Sequence, residues 1–197
     1  MSENLKYWVW LSLLTGISPR KCRQLLDRLG HPVNLWELSE KELTELQFLT
    51  PNMIRQLVNR NLRAEVTRHL HNLNRYGISV LTIKDKLYPE YLKNIYDPPV
   101  VLYTKGAITD NQRIIAVVGS RNASPYGLNT AERLSFELAG CGITVISGMA
   151  RGVDAYAHKG ALKAGGNTIA VLGCGLDIAY PAENAVLMED IAASGAL

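Results

Sequence analysis

Two arginines sit where a chain could hold an anion. Arg121 lies in the loop GSRNASPYG, Gly119 to Gly127, and Arg151 lies in SGMARGVD, Ser147 to Asp154. Each loop follows a short β-branched run, Ile114 to Val118 and Thr144 to Ile146 respectively. A guanidinium presents a planar fork of donors suited to phosphate. Gly119, Gly148 and Gly152 allow backbone to come close to a ligand or to another backbone. Ser120 and Ser124 add hydroxyls to the first loop. A third run, Thr168 to Leu172, leads into GCGLDIAYPAEN, Gly173 to Asn184, where Gly173, Gly175, Asp177, Tyr180 and Asn184 offer backbone access, hydrogen bonds and one ring. A base could stack on Tyr180, or the ring could pack on a neighbouring helix. The implied chemistry is anion recognition.

These loops need a scaffold that brings them together. Short β-branched runs alternating with helix-length segments predict βαβ units and a parallel sheet. In open sheets of this kind ligands bind beyond the carboxyl ends of the strands. Ser124-Pro125 reads as an N-cap and first helical position, opening a helix that runs to about Cys141 with Leu128, Ala131, Leu134 and Leu138 facing the sheet. The positive end of that helix would lie beside Arg121. Arg121 either binds phosphate or clamps loop carbonyls; for Arg151 the same two roles stand open. Asp154 reads as the N-cap of the next helix, which ends at Gly165-Gly166, with His158 one turn on. These two residues form either an acid–base or metal pair, or a cap beside a hydrogen-bonded histidine. No GxGxxG, GxxxxGK[ST] or GxSxG pattern is present, and no catalytic constellation emerges.

Residues 4–76 carry helical periodicity. Ser18-Pro19 opens a helix closed by Gly30, Ser39 and Glu42 form a capping box, and Pro51 opens a last segment with Ile54, Val58, Leu62, Val66 and Leu70 on one stripe. Arg60, Arg63, Arg68 and Arg75 fall away from that stripe. This predicts a small all-α domain over 1–76 and an α/β domain over 77–197, with Ile78 to Ile83 and Val100 to Tyr103 as strands extending the second domain's sheet.

The chain is 47% hydrophobic and 20% charged, which is the composition of a globular protein. No apolar run nears the roughly 20 residues that span a bilayer, so a cytoplasmic location and no membrane contact are expected. Three cysteines without CxxC spacing suggest neither a disulfide framework nor zinc. Residues 1–110 hold 15 Lys/Arg against 11 Asp/Glu, and residues 111–197 hold 6 against 7. An anion site in the second half must therefore be local.

Taken in register, GSR…S.YG, SGMARGVD..AH..AL and TIAVLGCGLD..YP.EN resemble the DprA/Smf family of bacterial DNA-processing proteins. The YP..L and DPP.VLY elements extend the resemblance to residues 77–197. The N-terminal helices are loosely similar to that family's sterile-alpha-motif-like or helix-hairpin-helix-like domain, with LTGISPRKCRQLLDRLG matching half of such a hairpin. The resemblance implies a Rossmann-like domain that binds single-stranded DNA and helps load RecA during natural transformation, with no enzymatic activity and no cofactor. It places the family's GSR arginine on Arg121 and its ARG-motif cation on Arg151. Ala182 stands where some members carry a basic residue after YP. The family's dimer surface lies in a portion later than Leu197, so the α/β domain is expected to be incomplete at its C-terminal end and a homodimer is expected of the full-length protein. The alternative function is a nucleotide-binding or nucleotide-cleaving Rossmann enzyme, whose relatives share a PGGxGTxxE segment that is absent here.

Overall fold

The computed structural model describes residues 4–109 and 113–197, which fall into two compact units, Met1–Tyr103 and Thr104–Leu197. In the first unit, six helices run in order: α1 Leu5–Leu13, α2 Pro19–Leu29, α3 Pro32–Glu37, α4 Glu40–Glu45, α5 Pro51–Leu57 and α6 Arg60–Arg75. Their ends follow from local chemistry. The Ser18 hydroxyl accepts from the Lys21 amide with Pro19 at the first helical position, and Gly30 closes α2 at φ +79°. Ser39 and Glu42 complete the capping box of α4. The long segment expected after Pro51 is two helices, because the Asn59 side chain accepts from the amides of Asn61 and Leu62 and starts α6 afresh.

The core of this unit gathers Trp10, Leu11, Leu25, Leu35, Leu43 and Leu57, with Trp10 and Trp36 edge to face at 5.1 Å. Arg63 departs from the expected solvated face. Its guanidinium lies 4.5 Å from the centre of the Trp36 ring and donates through Nη2 to the Leu57 carbonyl at 3.0 Å. Arg68 keeps to the surface and pairs with Glu65.

The connector belongs with the helices, not with the second domain's sheet. Strands β1 Ser79–Thr82 and β2 Val101–Thr104 pair as a separate two-stranded sheet, with the short helix α7 Glu90–Lys93 between them in sequence. Val100 and Val101 are buried in the helical core, Val80, Ile83 and Tyr103 pack on it, and the Tyr103 hydroxyl bonds Ser12 at 2.7 Å. This apolar burial moves the division from the expected residue 77 to Tyr103/Thr104. A shorter piece does reach the larger sheet: the amide of Lys105 donates to the Leu197 carbonyl, and that of Ala107 to the Gly195 carbonyl.

In the second unit, β3 Ile114–Ala116, β4 Thr144–Ser147 and β5 Thr168–Ala170 form a parallel sheet in that order, as the βαβ pattern predicts. Helices α8 Pro125–Gly140 and α9 Val153–Lys163 pack on each other, and α10 Ala185–Ser194 packs on α9 and β5. The buried stripe of α8 is Ala131, Ser135 and Ala139, while the expected Leu134 is exposed. Small residues win because the helices nearly touch. A Cβ at Gly160 would overlap the Glu132 carbonyl, and one at Gly166 would lie 2.7 Å from the Ala139 side chain.

Candidate nucleic-acid interface

Because the three strands are parallel, the loops that follow them leave one edge of the sheet, and backbone contacts knit them together. Gly152 has φ +78° and ψ −132°, and a Cβ there would overlap the Ser120 carbonyl oxygen and lie 2.7 Å from that of Arg121. The Val153 amide donates to the same Ser120 carbonyl at 3.2 Å. Gly119 is equally confined, since its Cβ would fall 2.8 Å from a methyl of Val153. The second loop is tied to the third by the Asn184 side chain, which donates to the Met149 carbonyl at 2.9 Å. Met149 is fully buried at φ +56° and holds the turn between Gly148 and the start of α9.

The two arginines meet different fates. Arg121 is exposed, and its guanidinium makes neither an ion pair nor a hydrogen bond to any of the described residues. It stands three residues before the cap of the 16-residue helix α8, where the Ser124 hydroxyl accepts from the Gly127 amide. The unpaired cation and the positive end of that helix reinforce each other. Arg151 is held in a fork by Glu183, with Nε and Nη2 each donating to a carboxylate oxygen. That contact raises the Arg151 pKa and lowers that of Glu183. Neither of the roles expected for Arg151, ligand contact or carbonyl clamp, describes this pairing. Glu183 was missed in the sequence although it lies in the third loop; 32 residues separate it from Arg151, and only the fold joins them.

The other candidates divide between surface and interior. Ser120 accepts from the Asn122 amide and remains exposed. Tyr180, joined to Pro181 by a cis peptide bond, is exposed at 66% and so is open to stacking. A Cβ at Gly173 would meet nothing, whereas one at Gly175 would overlap the Asp177 carboxylate. Asn184 is buried and committed to Met149. Gly148 is exposed, yet its Cβ position lies 2.8 Å from an Asp154 carboxylate oxygen.

Asp154 is not the cap of α9. The N-cap is Gly152, and Asp154 sits in the first turn, buried at 9% exposure, where its charge favours the helix N-terminus. His158 is fully buried, and its Nδ1 donates to the Thr168 hydroxyl at 2.7 Å, since that hydroxyl spends its one proton on the Val145 carbonyl. Burial pushes its pKa down to about 4, against a smaller upward pull from Asp154. His158 thus fastens α9 to β4 and β5. Among the described residues, no three His, Cys, Asp or Glu side chains are placed to hold a metal ion.

Residues 79–197 match the family model of DNA recombination-mediator protein A. The chain belongs to this family. It is 32% identical over 194 residues to the Smf protein of Synechocystis sp., covering 96% of this chain and 49% of that protein. It superposes on DNA processing protein A of Streptococcus pneumoniae with a TM-score of 0.73 at 28% identity, covering 97% of this chain and 65% of the other. It is also similar to DNA processing protein A from Helicobacter pylori, whose structure was determined for its single-stranded DNA binding mode, with a TM-score of 0.53, 33% identity, and coverage of 61% and 55%. The chain therefore spans about half to two thirds of these relatives. Among the described residues, no helix is long and apolar enough to cross a membrane.

Proposed function

We propose that the loop edge of the second unit binds single-stranded DNA, with Arg121 as its main phosphate contact. The observation that carries this reading is the Arg121 guanidinium, without a partner among the described residues and three residues before the cap of α8, on loops fixed in place by backbone packing. Ser120, Ser124 and the Tyr126 amide at the start of α8 supply further donors, and exposed Tyr180 supplies a ring for an unstacked base. Gly119, Gly148, Gly152, Gly173, Gly175 and Asn184 shape the edge, and Arg151 is a reserve cation held by Glu183. Membership in the recombination-mediator family supports a non-enzymatic role in the cytoplasm, in which the bound strand is passed to RecA during natural transformation, the full-length protein acting as a homodimer.

The test is fluorescence anisotropy with a labelled oligo-dT at several salt concentrations, on the wild type and on Arg121→Ala. Loss of one phosphate contact should lower the log–log salt slope by about 0.7 while the melting temperature holds. A folded Arg121→Ala protein with the wild-type slope refutes the assignment.

A further inference from the structure

The first unit carries its own cationic surface, built on the outer face of α2. Cys22, Leu25 and Leu26 bury the inner face of that helix, leaving Arg20, Arg23 and Arg28 exposed and Lys21 half-buried beside the Phe48 ring. Two clefts are lined by residues of this helix. One, of about 450 Å³, is lined by Ser18, Arg20, Lys21, Gln24, Tyr96 and Asp97. The other, of about 120 Å³, is lined by Arg23, Lys84 and Lys93 with Leu26, Asp27 and Ile83. Arg23 joins α2 to the connector by donating to the Lys93 carbonyl at 3.2 Å.

The acids in this neighbourhood are mostly held by hydrogen bonds or an ion pair. Asp97 accepts from the Arg20 amide, Asp85 accepts from the amide and hydroxyl of Thr82, and Glu90 pairs with Lys93. Amide and hydroxyl donors do not cancel a carboxylate's charge, so Asp97 counts with Asp27 against the cations, and the two clefts together set Arg20, Lys21, Arg23, Lys84 and Lys93 against those two acids. Rings stand among the cations: Tyr96 is 81% exposed with the Arg20 guanidinium 5.0 Å from its centre, and Tyr91 is 64% exposed. Large rings left this open cost apolar exposure that their own unit does not relieve.

We infer that this surface is a second binding site for single-stranded nucleic acid, in which Arg20, Lys21 and Arg23 follow the phosphates and Tyr96 stacks a base. Cations interleaved with exposed rings are what an unpaired strand requires. A duplex keeps its base faces inside the stack and would leave Tyr96 and Tyr91 unused. The site shares no residue with the loop edge of the second unit and can fail independently of it.

Photo-cross-linking locates the contact directly. The whole 197-residue chain is irradiated with a 30-nucleotide oligo-dT carrying 5-iododeoxyuridine, and cross-linked peptides are mapped by mass spectrometry. Cross-links at Tyr96 or Tyr91 are expected, and they should persist in Arg121→Ala. Duplex competitor should remove them less well than unlabelled single strand. The triple variant Lys21→Ala, Arg23→Ala and Tyr96→Ala, with its folding checked by thermal melting, should lose them and lower the salt slope by about 1.4, two contacts at 0.7 each. Cross-links confined to residues 104–197, an unchanged slope in the folded triple variant, or equal competition by duplex overturns the inference. Cross-links confined to the first unit would instead sustain it and refute the loop-edge reading, and a wild-type chain that binds no oligonucleotide refutes both.

Discussion

Replacing Gly152 with alanine should damage both the stability and the binding of the second unit. Its backbone, at φ +78° and ψ −132°, lies in a region that costs a side-chain-bearing residue on the order of 1–3 kcal/mol. The added Cβ would also overlap the Ser120 carbonyl and crowd that of Arg121, so the first loop must shift as well. A total near 3 kcal/mol or above is expected, at the upper end of what single substitutions ordinarily cost. For a unit of this size that is a fall in melting temperature of roughly 12–24 °C. Circular dichroism melting reads the stability, and oligo-dT anisotropy below the transition reads the displacement of Arg121. Gly173→Ala is the matched control, because a Cβ there meets nothing and its φ is not positive; it should change stability by less than about 0.5 kcal/mol. If Gly152→Ala melts within 3 °C of the wild type and binds equally well, the packing of the second loop on the first is not as described.

Other substitutions probe the remaining assignments. Glu183→Ala should leave the urea midpoint near that of the wild type, since the Arg151 pair is largely exposed, yet raise oligo-dT affinity severalfold by freeing the guanidinium; weaker binding would show that Glu183 does not restrain it. Ser124→Ala should cost about 1 kcal/mol through loss of the cap of α8, measured by urea denaturation. His158 is depressed from about 6.5 to about 4, so its neutral form favours the fold fully above pH 6.5, and that contribution falls by up to about 1.4 kcal/mol per pH unit as pH drops toward 4. His158→Asn should therefore flatten the difference in urea midpoint between pH 7 and pH 4.5, and an unchanged difference would place the acid sensitivity elsewhere.

Where a residue acts on its own neighbours, the sequence was informative. Ser18-Pro19, Ser39 with Glu42, and Ser124-Pro125 mark helix starts because a cap needs only the next three residues. The three β-branched runs became the three parallel strands for a similar reason. Readings that depended on distant partners went astray. Asp154 looks like a cap, but the glycine two residues earlier takes that position because only it tolerates the crowded turn against Ser120. Leu134 looks like core, yet α8 approaches α9 so closely that alanine and serine occupy the contact. The connector strands carry no local mark of which unit they join; the apolar faces of Val100 and Val101 decide it. At the candidate site, Arg121 and Arg151 look alike in sequence, and the difference between them is made by one carboxylate 32 residues away.

Apart from the Val153 side chain against Gly119, the seam between the first two loops is made of main chain: a glycine, two carbonyls and one amide. Mutation can vary the side chains at positions 120 to 123 without withdrawing any atom from that seam. Selection can therefore retune what the loop touches, trading arginine for lysine or adding a ring, while the geometry that presents it is inherited unchanged. Gly152 carries the opposite burden, because every substitution there is felt at once by the loop it supports. A library randomised at residues 121 to 123 with Gly152 fixed is accordingly the place to look for altered strand preference.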